Sequence, residues 1–309
     1  MSERGWSLLR AAGLAGAVIL TAPVSPVVLV AVTAAVQLAA FRARDASSLA
    51  VAAALLALAF VVPGAPGDPL WYAERGWALL VGGGFVAATL LLERAGPTAR
   101  SVAGVALASG AVALVGLVRP ALLAELDWWV ERELATAAMS AAGLLSALGG
   151  GAADGGGYYL RALRWQQLLY PALLALASVA ALGVGRYLVE RLSGREEALG
   201  PFRDFRFEDR LVWVLVAGLA LVLAPAGEEV SRLGGNTVLF MGGLYLLRGA
   251  AVLFWVGAAT VTSGWMAALW IVAGLALYPV AALAALALGL GDTWMDMRGR
   301  LAGLLAGER

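Results

Sequence analysis

The residue whose type and position most invite a chemical reading is Arg248. Its guanidinium sits in the middle of an otherwise apolar run, residues 239–253. A charge at the centre of a bilayer costs about 2.5–3.5 kcal/mol on insertion scales, so such a residue faces either a partner or a cavity. The candidate partners are Glu228 and Glu229, which precede the run, and Asp292, further down the chain. With a free donor edge, Arg248 is suited to contact an anion or carboxylate in a ligand cavity. With an internal carboxylate it is a structural ion pair, and with neither it snorkels to one membrane face. Tyr245, on the same run, and Asn236, three residues before the run in the apolar span 236–256, complete the ligand-binding set.

A second group stands near the C-terminal end, in Gly291-Asp292-Thr293-Trp294-Met295-Asp296-Met297-Arg298. Asp292 and Asp296 are four apart, which places both on one face of a helix. Paired carboxylates can do acid–base work or hold a hard cation. With Arg298 and Arg300 beside them, the simpler account is a charged helix end closing an apolar span, with Trp294 at headgroup depth. Other chemistries have no residues to carry them. The chain contains no Cys and no His, and its 22 basic residues are all Arg. The commonest general base, the commonest metal ligand and any thiolate are therefore missing. No cofactor is expected, nor is an enzyme, because no pair of acids lies inside an apolar run. The glycine-rich stretch 149–157 lacks the Lys-Ser/Thr ending of a phosphate loop and reads as a flexible linker.

The elements that must position these residues are membrane-spanning helices. Of the 309 residues, 61% are apolar and 14% charged, against about 25% charged in ordinary soluble domains. Mean hydropathy is +0.84. The net charge of +1 gives no basic field for nucleic acid. Apolar runs of near-spanning length occur at 6–21, 27–41, 47–62, 76–92, 101–118, 168–188, 211–223, 236–256 and 265–290. The expected fold is thus an all-α polytopic bundle with eight or nine spans, in one integral membrane domain 1–309. Within it, 1–118 holds the N-terminal spans, 119–165 an amphipathic helix and linker, and 166–309 the C-terminal spans.

In residues 120–148, Leu122, Leu123, Leu126, Trp129, Val130 and Leu134 share one arc of a helix. That pattern fits a helix lying at the membrane interface and, equally, an extra-membrane helix packed on the bundle. The segment 195–210 is charged but carries Phe202, Phe205 and Phe207, and reads as a second interfacial stretch. Arginines cluster near the N-terminus, after the spans at 27–41 and 76–92, and in 186–210. The positive-inside rule then places these segments and the N-terminus in the cytoplasm of a bacterial inner membrane. Small residues such as Ala11 and Ala15, or Gly242 and Gly249, allow close helix packing.

Three stretches, residues 202–213, 244–252 and 290–298, resemble in order and spacing the C-terminal half of the YybS-like family of bacterial multi-span membrane proteins. Two positions depart from the family pattern. Glu208 stands where the family often has Pro, and Arg248 where it often has Gln. The family has been grouped with the membrane-embedded S-components of energy-coupling-factor vitamin transporters. The resemblance therefore implies a helical bundle with a small-molecule pocket near one face, and an ATPase coupling module as partner alongside the membrane lipid, met through small residues of the first helix, for which Ala11 and Ala15 could serve.

Overall fold

The computed structural model describes residues 26–43, 69–147, 156–192, 205–260 and 263–300. The expected spans at 6–21 and 47–62, the linker residues 149–155, residues 195–204, and Ala11 and Ala15 lie outside the described residues. Everything regular among the described residues is helical. The chain divides into two compact units, Met1–Ala198 and Leu199–Arg309.

In the first unit, α1 (Pro26–Ala43) packs extensively on both α2 (Pro69–Leu91) and α5 (Gly156–Leu192). It is apolar around its whole circumference, as a helix surrounded by others must be. Leu29, Val30, Ala34, Ala35 and Leu38 are all buried. Next, α3 (Pro97–Val118) packs against α2, and the two backbones meet at Gly84 and Gly104. A Cβ on Gly104 would come within 2.8 Å of the Phe85 backbone, so this contact needs a residue without one. The helix α4 (Pro120–Ala147) follows α3 after the single residue Arg119 and starts on Pro120, whose missing N–H is an orphan at that position in any case. Of its expected apolar arc, Val130 is buried, Leu126, Trp129 and Leu134 are half-buried, and Leu122 and Leu123 are exposed, as is the neighbouring Trp128. Trp128 and Trp129 meet edge to face at 5.0 Å, with the Arg132 guanidinium 5.5 Å from each ring.

In the second unit, a 3₁₀ turn (Asp209–Leu211) leads into α6 (Val212–Leu223). The chain turns back through Gly227, whose φ of 94° is costly for other residues. It then forms α7 (Glu228–Thr260), the centre of the unit, packed on α6 and on α9 (Tyr278–Met295). Between them in sequence lies α8 (Gly264–Ala276). The expected single span at 265–290 is therefore two helices. Pro279, at the second position of α9, has no N–H to continue the α8 ladder and its ring would strike the carbonyl four residues back.

Three helices among the described residues are long and apolar enough to cross a membrane. They are α3, Leu163–Glu190 of α5, and Glu228–Gly257 of α7. The segment Val27–Phe41 of α1 is apolar but shorter.

Candidate functional site

The second unit gathers its charged residues where α7 crosses α9. A Cβ on Gly249 would strike the Ala285 carbonyl, and one on Gly289 would strike the Tyr245 carbonyl. The two pairs run in opposite directions along the helices, so α7 and α9 are antiparallel and their backbones touch. That closeness brings Arg248 of α7 against Asp292 of α9. The Arg248 Nε donates to Asp292 Oδ2 at 2.9 Å, and Nη2 donates to the Asp292 backbone oxygen at 3.1 Å. This carbonyl is among the last four of α9, which have no partner within their own helix. The guanidinium thus supplies both a countercharge and a C-terminal cap.

Beyond Met295 the helix ends, and Asp296 takes a left-handed conformation with φ 39°. The turn brings Arg298 back onto the cluster. Its Nη2 donates to the same Asp292 Oδ2 at 2.9 Å, and both of its terminal nitrogens lie 3.2 Å from the Phe205 carbonyl. Asp209, on the 3₁₀ turn, accepts from Arg248 Nη1 at 2.6 Å. Phe207 closes one side, edge to face with Tyr245 at 5.0 Å and 5.4 Å from the Arg248 guanidinium. Further out, Arg206 pairs with Asp296.

Burial separates these groups by role. The side chains of Arg248, Arg298 and Asp292 are 3%, 7% and 0% exposed, so two cations and one carboxylate are withdrawn from water. Asp209 balances the remaining positive charge, yet its side chain is 60% exposed. The Nη1 edge of Arg248 is thus held by a carboxylate that itself reaches the surface. Asp292 Oδ1 and the Tyr245 hydroxyl are buried and have no hydrogen-bond partner among the described residues. The Tyr245 hydroxyl is near Thr293 but not in hydrogen-bonding geometry. The site therefore combines a guanidinium edge held by one solvent-exposed carboxylate, a buried acceptor and a buried phenol.

Five of the residues singled out from the sequence meet here: Tyr245, Arg248, Asp292, Asp296 and Arg298. Asn236 does not join them. It lies twelve residues before Arg248 on α7, about 18 Å along the axis, and its amide donates to the Arg232 carbonyl. Trp294 is exposed. Of the proposed partners of Arg248, Asp292 is engaged, whereas Glu228 and Glu229 are exposed on the first turn of α7. Asp292 and Asp296 do not share a helical face, because the left-handed residue that ends α9 is Asp296 itself. Sequence reasoning missed Asp209, Phe207 and the Phe205 carbonyl as parts of the cluster. The available signal was the segment 202–213, one of the three stretches carrying the family resemblance. Each of the three contributes described residues to this cluster.

Apolar helices long enough to cross a membrane, in a chain that is 61% apolar, mark a helical membrane protein. The chain belongs to the family described as "Predicted membrane protein (DUF2232)", whose model matches residues 14–293, a range that includes Asp209, Tyr245, Arg248 and Asp292. No curated protein matches the chain. No solved structure matches it either.

Proposed function

We propose that the protein binds a small anionic molecule within the membrane, in the manner of the S-components suggested by the YybS-like resemblance. In this reading the chain crosses a bacterial cytoplasmic membrane eight or nine times, with the N-terminus inside. It does no covalent chemistry of its own. The observation that carries the reading is the pairing of Arg248 with Asp209. A buried guanidinium keeps one edge toward a carboxylate that is more than half exposed, so an incoming carboxylate or phosphate can take the same edge by displacing a side chain already at the surface. The bidentate geometry of guanidinium favours such oxyanions. Asp292 Oδ1 and the Tyr245 hydroxyl then supply an acceptor and a donor to polar groups of the same molecule.

The alternative is a scaffold in a membrane complex. It draws on the exposed Leu122, Leu123 and Trp128 of α4, an apolar and aromatic face available to a partner. Purification in gentle detergent, with mass spectrometry of retained proteins and small molecules, separates the two. A retained anionic metabolite or an ATPase module is expected. A set of envelope proteins with no small molecule would replace the binding reading by the scaffold.

A further inference from the structure

The first unit carries a groove unrelated to the charge cluster. It runs along the α2–α3 pair as an open groove of about 690 Å³ and is lined entirely by apolar residues. Its floor on α3 includes Ala103, Leu107, Gly110 and Leu114, spaced along one helical face. Arg100 stands three residues before Ala103 and so heads the same face. Its Nε and Nη2 donate to the carbonyls of Leu92 and Glu93 at 3.0 and 2.6 Å, which fixes the guanidinium over the turn at the groove's end. Arg94 lies in that same turn and is exposed.

Two dimensions define the occupant. From Ala103 to Leu114 is eleven residues, about 16 Å of helix, or half of a hydrocarbon core about 30 Å thick. The groove is one leaflet deep. At its outer end the turn carries Glu93, Arg94 and Arg100, a net charge of +1, and at its inner end it is wholly apolar. An acyl chain matches the groove and a negatively charged phosphodiester matches the turn. The positive-inside reading places this turn at the cytoplasmic leaflet, where anionic lipids concentrate. We propose that the α2–α3 groove is a binding site for an anionic phospholipid, one acyl chain lying along α3 from Ala103 to Leu114 and the phosphate at Arg94 and Arg100.

The test is native mass spectrometry of the full chain, purified in detergent and offered equal amounts of phosphatidylglycerol and phosphatidylcholine with identical chains. The wild type is expected to retain phosphatidylglycerol several-fold over phosphatidylcholine. Arg94→Gln, which alters an exposed side chain outside the helices, should lower that ratio, and Arg94→Gln/Arg100→Gln should bring it close to one. Gly110→Phe fills the groove while leaving both arginines in place, and should lower retention of the anionic lipid at least several-fold. Equal retention of the two lipids by the wild type would overturn the site. So would a preference that survives both the arginine substitutions and Gly110→Phe, because it would then arise from lipid elsewhere on the surface.

Discussion

Among single residues, Asp292 bears the most. Its side chain is fully buried, unlike those of Asp209 and Asp296, and both Arg248 and Arg298 donate to its Oδ2. Removing one member of a buried pair leaves an uncompensated charge and costs about 3–5 kcal/mol. Asp292→Asn is therefore expected to lower unfolding stability in detergent by about that much. Asp209→Asn should cost at most about 1 kcal/mol, because the Asp209 side chain is largely solvated. Arg248→Gln should fall between them, since Asp292 keeps Arg298. Thermal or denaturant unfolding of the three variants checks the order, and an Asp209→Asn variant as damaged as Asp292→Asn would contradict it. Arg248 was legible in the sequence because a lone charge in an apolar run is conspicuous. Asp209 was not, because one acid in a charged segment looks like every other until the fold brings it to the guanidinium.

Among elements, the α7–α9 contact decides whether the cluster can exist. Gly249 and Gly289 let the two backbones touch, whereas a Cβ on Gly242, on the same helix as Gly249, would meet nothing within 4 Å. Replacing Gly289 by Leu should therefore separate the helices, cost upwards of about 1–3 kcal/mol, and loosen the Arg248–Asp292 pair. Gly242→Leu should leave stability within about 1 kcal/mol of wild type. Equal effects of the two substitutions on the unfolding midpoint would refute the crossing geometry. The sequence could mark Gly242 and Gly249 as small residues but not which of them faces a partner, since in a chain so rich in Gly and Ala nearly every face carries some. It likewise ran 265–290 as one apolar span. Hydropathy registers only transfer free energy, while the break before Pro279 comes from a missing N–H and a steric clash.

For the whole molecule, composition alone carried the class. A chain that is 61% apolar and 14% charged has too little polar surface for a soluble fold, and family membership over residues 14–293 agrees with a membrane protein. Helix positions followed from hydropathy, since the sequence spans at 101–118, 168–188 and 236–256 fall within α3, α5 and α7. The proposed function depends on a finer feature, a guanidinium edge paired with a solvent-exposed carboxylate. The most direct measurement is the affinity of the purified protein for the anionic molecule it retains, compared among wild type, Asp209→Asn and Arg248→Gln by calorimetric titration. The account predicts tighter binding by Asp209→Asn, because the internal competitor is neutralised, and at least tenfold weaker binding by a folded Arg248→Gln. Unchanged affinity in both variants would show that the ligand does not use this edge of Arg248.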